Sequence, residues 1–348
     1  MQDIAIIGAG VAGMAAAYEL TKAGYRVVVF EKSRGVSGRA ATRRREGLHF
    51  DHGANFFRTD DPEVDSLVHQ VLPTDELIEI AGDVCTFDGD SRIKRGDPAQ
   101  NARPKYSYRA GISTLGKLLR QEAAVEVRTQ VRIHSLAREG GAWLLLAEGG
   151  ESLGIFSRVV ITAPAPQAAR ILEASSVDAD YREEVISSLL QVPYRPQFSF
   201  ILGYSSRIER PLDCYALVNE DGQHAVSWLS FEEDKAGHVP EGESVLIVQM
   251  ATAWSAARLE ESREKLLAEV LTEARKLVPK LPEEPAWWDS QRWMLARPEG
   301  VLQGEGLRLA EAAGLFFSGD GTTGKARISM ALRSGLETAR AIIADDVR

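Results

Sequence analysis

The chain has 348 residues, 44% hydrophobic and 26% charged, a composition that suits a globular protein with a full-sized core, and two domains are the natural expectation at this length. A formal net charge of -9 argues against nucleic-acid binding, which needs surplus Lys and Arg to displace counterions from phosphates. The expected partners are small molecules.

Cys85 and Cys214 are the only cysteines. They are far apart and lack CxxC spacing, so neither a disulfide framework nor a thiolate metal cluster is expected, and a reducing cytoplasm is the simplest setting. The apolar run Ile4-Ala5-Ile6-Ile7 follows Met1 too closely to leave room for an export signal. No uncharged apolar run approaches the ~20 residues that span a bilayer, so membrane insertion is not expected.

Ile4 to Ile7 reads as a buried strand that runs into Gly8-Ala9-Gly10-Val11-Ala12-Gly13, after which Ala15, Ala16, Ala17 and Leu20 continue a helix. This is GxGxxG in the context its chemistry requires. Gly8 permits the tight turn, Gly10 lets the backbone approach a pyrophosphate, and Gly13 allows helix and sheet to pack closely, with the helix N-terminus facing the phosphates. A turn at Ala23-Gly24-Tyr25 leads to a second strand, Val27 to Phe30, ending in Glu31. An acid about 20 residues beyond the glycines can take a ribose hydroxyl pair. Next, Ser33-Arg34-Gly35-Val36-Ser37-Gly38-Arg39 places a glycine-flanked arginine where a bidentate guanidinium can reach back to the same pyrophosphate.

The run from Ile4 to Arg39 resembles the FAD-binding fingerprint of the flavin-containing amine oxidase superfamily, which continues past the second strand into GG or GxxG followed by Arg. The resemblance implies FAD as cofactor and implies adenosine and pyrophosphate contacts at Gly8, Gly10, Ala12, Gly13, Glu31, Lys32, Gly38 and Arg39. The implied fold class is α/β: a Rossmann-type FAD-binding domain with an inserted α+β substrate domain. The expected division gives residues 1–72, 106–190 and 300–348 to the first and 73–105 and 191–299 to the second.

Farther on, Phe50-Asp51-His52-Gly53-Ala54-Asn55-Phe56-Phe57 resembles the superfamily's DxGAxxF element. Its small residues allow backbone to approach a flat ring, and its aromatics are candidate cavity walls. Ala54 and Asn55 are thereby assigned to the flavin, and Phe56, Phe57 and Arg58 to the substrate. Residues Val125 to Ile133 read as a strand resembling the one whose backbone meets adenine, with Val131 at the matching position. Arg158 to Ile161 resembles the strand that ends in a T/A-x-P turn, here Thr162-Ala163-Pro164, beneath the first glycine loop.

Gln197 to Gly203 and Ser244 to Met250 alternate like strands with one buried face. Gln197 and Trp293 are further substrate candidates. Near the C-terminus, Gly314 to Ser318 reads as a buried strand closed by Gly319-Asp320, and Ile328, Ala331, Leu332, Gly335, Leu336, Ala339 and Ile342 then repeat at helical spacing. The superfamily uses this Gly-Asp near the ribityl chain and points the following helix N-terminus at the flavin pyrimidine. Gly319, Asp320, Arg327 and Ile328 are assigned on that resemblance. Family members that tether flavin do so through a cysteine before this helix; Gly321 to Lys325 contains none, and non-covalent FAD is expected.

Three features invite other readings. Gly319 to Ala326 nearly matches the nucleotide P-loop, but Ala326 has no hydroxyl for magnesium and Asp320 would repel phosphates. His49 and His52 flank Asp51 in an expected hairpin closed by Glu46-Gly47; no metal site is assigned to them. Arg43-Arg44-Arg45 reads as a solvated strand end.

Within the superfamily the chain resembles renalases and their bacterial relatives, through Lys32 to Arg39, Asp51 to Phe57, Val160 to Gln167 and Gln291 to Pro298. It departs from that subgroup's GAQYF at Asn55 and from its RWxYARP at Leu295, both near the expected active site. The resemblance implies hydride transfer from 2- or 6-dihydro isomers of NAD(P)H to flavin N5, with oxygen reduced to hydrogen peroxide. A monomer or weak dimer is expected. Amine oxidation and a non-catalytic FAD-binding redox protein are the alternatives.

Overall fold

The computed structural model describes residues 3–347. A five-stranded parallel sheet carries the glycine loop, in the order Leu315–Phe317, Arg158–Ile161, Asp3–Ile7, Arg26–Glu31, Glu126–Thr129. Alternation along the first strand sends Ile4 and Ile6 to one face and Ala5 and Ile7 to the other. Both faces are covered, which is why the run is apolar throughout. On the first face lie the helices Val11–Lys22, Thr114–Ala123 and Ile328–Val347. On the second lie a three-stranded antiparallel sheet (Ile133–Glu139, Ala142–Ala147, Ser152–Phe156) and the helix Ala165–Glu173.

A seven-stranded sheet runs Trp287–Pro298, Tyr194–Tyr204, Ser244–Met250, Val226–Phe231, Cys214–Asn219, Asp83–Phe87, Ile93–Lys94. The helix Arg263–Leu277 packs one face. Against the other lie Leu48 and Phe50 of the hairpin Thr42–Arg45 and Leu48–Asp51, closed by Glu46-Gly47 as expected. Together these layers confirm the expected fold class.

Four expectations need correction. Cys85 and Cys214 form a disulfide, although 129 residues separate them. Their strands pair side by side in parallel, which brings the two Cα atoms to 6.1 Å, a proximity no sequence spacing could announce. The expected strand from Val125 to Ile133 is instead broken after Thr129, where Gln130 adopts a φ of 61°. Residues 198–204, and Ser244–Met250 apart from Gln249, are buried on both faces rather than one, because the sheet is sandwiched. Arg43 is no solvated end; its guanidinium bonds Asp289 and Gln291 across on the edge strand.

The last helix grips the glycine-loop helix through Gly335, where a Cβ would stand 2.2 Å from the Ala12 carbonyl oxygen and 2.9 Å from the Ala15 Cβ. Gly335→Ala is expected to cost about 1–3 kcal/mol through overpacking. Urea denaturation of the variant measures it; wild-type stability would show that the two helices part freely.

Candidate flavin site

The glycine loop and the acid after it hold each other. Gly8, at a φ of 112°, donates its N–H to the Phe30 carbonyl at 2.8 Å. The Glu31 carboxylate accepts from the Ala9 N–H at 2.8 Å and from the Ser33 N–H at 2.7 Å. Val131 joins them by donating its N–H to the Glu31 carbonyl at 2.9 Å, as Gln130 does to Ser33. Lys32 reaches Gln167 Oε1 at 3.0 Å, its ammonium held below the usual lysine range by burial and by Arg132. Glu31, Lys32 and Val131 thus meet at one end of the loop. The turn after the strand Arg158–Ile161 is anchored beneath the glycine loop, Thr162 Oγ1 donating to the Gly8 carbonyl at 2.9 Å.

The loop's shape fits a dinucleotide. A Cβ on Gly10 would meet nothing within 4 Å, whereas one on Gly13 would stand 2.1 Å from the Gly8 carbonyl oxygen. Gly13 therefore serves packing, while the space over Gly10 is open to a ligand. Ser37 donates its N–H to the Ala9 carbonyl at 2.7 Å, and its buried Oγ is left with no partner among the described residues. An orphaned hydroxyl beside the phosphate loop suits a group carrying many acceptor oxygens.

Arg39 does more than its sequence position implied. Its Nη1 donates to the Leu295 carbonyl (3.0 Å), the Ala296 carbonyl (3.2 Å) and Asp320 Oδ2 (2.6 Å). Burial works against its charge, but Asp320 raises the guanidinium pKa overall. Asp320 also accepts from the Tyr194 hydroxyl at 2.9 Å. Asp320 opens the short turn Asp320–Thr323, so the near P-loop points its acid at Arg39. Gly319 donates its N–H to Ser334 Oγ at 2.9 Å. Beyond them, Arg327 is exposed, whereas the Ile328 side chain is in the core.

The segment 51–57 lies between Arg39 and the seven-stranded sheet. Ala54 donates its N–H to the Arg39 carbonyl at 3.0 Å. The Gly53 carbonyl accepts from Gln249 Nε2 at 2.7 Å, and the His52 carbonyl from Trp293 Nε1 at 3.1 Å. Trp293 stacks on the His52 ring, with centroids 5.4 Å apart and 14° between planes. Asn55 accepts at Oδ1 from Ser230 Oγ (3.2 Å), and its carbonyl accepts from the Tyr215 hydroxyl (3.4 Å). The Phe56 ring sits 5.9 Å from Trp228 and 6.5 Å from Tyr215. Arg58 covers Phe56 at 5.6 Å and donates to the Gln100 carbonyl at 2.8 Å.

One substrate candidate lies elsewhere than expected. Phe57 is buried against Tyr108 in the core and forms no cavity wall. The Gln197 amide is held by Ser227 Oγ (3.0 Å) and the Met250 carbonyl (3.1 Å). Sequence reasoning missed Tyr194, Tyr215, Trp228 and Gln249, which sit on strands with no motif. It also missed Glu232, Lys235 and His238, which belong to no motif in the sequence.

These features define a flavoprotein with a Rossmann-type dinucleotide domain. The chain belongs to the flavin containing amine oxidoreductase family, whose model matches residues 79–343, and residues 6–71 match an NAD(P)-binding Rossmann-like domain. Its cofactor is FAD. It is 35% identical over 117 residues to a putative flavin-containing monoamine oxidase, AofH, of Mycobacterium tuberculosis, a match covering 33% of this chain and 24% of the relative. It is 45% identical over 65 residues to protoporphyrinogen oxidase 2 of Arabidopsis thaliana, covering 19% and 13%. The chain thus matches about a quarter or less of the length of these curated relatives. Among solved structures it resembles a putative protoporphyrinogen oxidase from Exiguobacterium sp. 255-15 (TM-score 0.79, 14% identity, 99% of each chain). It also resembles cyclohexylamine oxidase from Brevibacterium oxydans IH-35A (TM-score 0.73, 14% identity, 100% of each chain). At such identities these likenesses show the fold.

Asp320→Ala leaves Arg39 without the carboxylate that pairs it, and FAD affinity is expected to fall at least about tenfold, or about 1.4 kcal/mol; titrating the quenching of FAD fluorescence measures it. His52 supplies a pH prediction. Burial, with Arg43 adding to it, pushes its pKa from 6.5 down to about 4, so the unfolded chain binds a proton that the folded one refuses. Stability is full above the unfolded value and falls as pH drops from 6.5 toward 4. In His52→Phe the melting temperature should vary less over that window, and an unchanged pH profile would exclude His52 as its source.

Proposed function

We propose that this protein is a renalase-like FAD-dependent oxidase acting on an isomeric dihydronicotinamide, the 2- or 6-dihydro form of NAD(P)H. The observation that carries this reading is the wall beside Ala54 and Asn55. Phe56 and Trp228, backed by the buried Tyr215, make it aromatic, amide groups of Asn55 and Gln249 edge it, and the buried carboxylates Asp51 and Glu232 are bonded to Lys235. Among the described residues no acid-base pair stands open at this wall. A donor ring that aromatises as its hydride leaves needs no general base, only its carbon held in line with the acceptor.

Bound FAD would supply the hydride acceptor at flavin N5 and then pass two electrons, with protons, to oxygen as hydrogen peroxide. The protein's share is positional. Glu31 and Val131 would hold the adenosine end, and Gly10, Ser37 and Arg39 the pyrophosphate. Gly319, Asp320 and Arg327 would hold the ribityl and pyrimidine part. Ala54 and Asn55 would hold the ring, with Phe56 and Trp293 bounding the donor. Residues 1–72, 106–190 and 300–348 would form the cofactor domain, and 73–105 and 191–299 the substrate domain. A monomer or weak dimer in the cytoplasm remains part of the proposal. The buried Cys85–Cys214 bond bears against a reducing compartment.

Amine oxidation is the second reading, favoured by family membership and by the same aromatic wall, which would hold a neutral amine between rings. Mixing the FAD-loaded protein anaerobically with 6-dihydroNAD, a polyamine or an aromatic amine, and following flavin bleaching at about 450 nm, separates the two. Rapid bleaching by the dihydronicotinamide alone, with peroxide formed on admitting air, is the expected result. Bleaching by an amine alone transfers the assignment to amine oxidation, and bleaching by none leaves a non-catalytic flavoprotein.

A further inference from the structure

Behind the flavin-flanking segment lies a cluster of four ionisable side chains, Asp51, Glu232, Lys235 and His238, each with no exposed side-chain surface. Lys235 Nζ stands 2.9 Å from Asp51 Oδ2 and 2.8 Å from Glu232 Oε1. Glu232 Oε2 also accepts from the Asp51 backbone N–H at 2.9 Å and meets His238 Nδ1 at 3.1 Å, while His238 Nε2 faces the Tyr108 carbonyl at 2.9 Å. Asp51 takes further bonds from Thr42, Ser107 and the Ile112 N–H. Burial opposes the Asp51 charge, but Lys235 and His238 hold its carboxyl below the usual range. Burial likewise opposes the Lys235 charge, and Asp51 and Glu232 raise it well above an ordinary lysine.

Buried ion clusters are weak sources of stability, since apolar replacements of similar volume do as well or better; geometric specificity is one reason for keeping them. Here the geometry joins two distant parts of the chain. Asp51 begins the segment that continues through Gly53 and Ala54 to Asn55 and Phe56, while Glu232, Lys235 and His238 come from the turn after the strand Val226–Phe231. That strand and its neighbour supply Ser230 and Tyr215, which bond Asn55. Ligand-type atoms of Asp51, Glu232 and His238 lie within 4.8 Å of one another, an arrangement that could hold a metal ion. The Lys235 ammonium already bridges the two carboxylates as the cation.

We propose that Lys235 is a positioning residue: by joining Asp51 to Glu232 it sets the distance of Asn55 and Phe56 from the flavin ring, and so the ease with which that ring is reduced. The proposal rests on the placement of this segment beside the flavin and not on which donor the protein uses. Loss of the ammonium leaves two buried carboxylates facing each other, and the segment must shift to let water or a proton reach them.

The test uses FAD-loaded Lys235→Ala and the isosteric Glu232→Gln, with chemical reduction by dithionite against an indicator dye, so no substrate is needed. Both variants are expected to bind FAD about tenfold more weakly. Each should also shift the two-electron reduction equilibrium about tenfold, or about 30 mV. Ethylammonium, filling the space left in Lys235→Ala, should restore both properties saturably. A purely structural role would lower the melting temperature and leave the potential alone. Wild-type potential and FAD affinity in the variants overturn the proposal, and if Lys235→Ala does not fold, Glu232→Gln alone decides.

Discussion

The pairing of Arg39 with Asp320 closes a ring through three segments that the chain visits far apart. One guanidinium nitrogen takes the Asp320 carboxylate, whose other oxygen accepts from Tyr194, and two carbonyls of the edge strand at Leu295 and Ala296. The first glycine motif, the last strand-helix unit and the seven-stranded sheet are thereby held to one geometry. Charge-assisted bonds of this kind are short and directional, and they exert more control where water is largely excluded. A third of the Arg39 side chain still faces the opening, so the group that organises the site also remains able to meet a phosphate.

A second constraint works from behind. Segment 51–56 is bonded to Arg39 through Ala54, to the sheet through Gly53 and Asn55, and to the buried cluster through Asp51. A flat ring laid against this segment would meet backbone that is fixed from three directions. Such rigidity suits hydride transfer, in which small errors of distance carry large penalties in rate. The chemistry would belong to the cofactor, and the protein's contribution would be placement.

The site was legible where function is written into backbone shape. Gly8, Gly10, Gly13 and Gly38 announce turns and close approaches that other residues cannot make, and Glu31 follows at a distance set by one helix and one strand. These residues do come together, as do Arg39, Ala54, Asn55 and Asp320. Legibility failed where a side chain's role depends on what faces it. Phe56 and Phe57 are adjacent and alike, yet Phe56 is half-buried against Tyr215 and Trp228 while Phe57 fills the core. Glu232 and Lys235 look like surface charge until the turn that carries them is folded under the hairpin.

The sequence alone determined the dinucleotide fold and the local conformation of the glycine segments, because these follow from short-range sterics and from periodicities of 2 and 3.6 residues; FAD as the cofactor followed from the resemblance of Ile4 to Arg39 to the superfamily's fingerprint. Tertiary structure alone decided the Cys85–Cys214 bond, the break at Gln130, the docking of Arg43 and the buried cluster around Lys235. Each of these depends on a partner brought near by strand order, and strand order follows from the packing of whole layers rather than from any neighbouring residues.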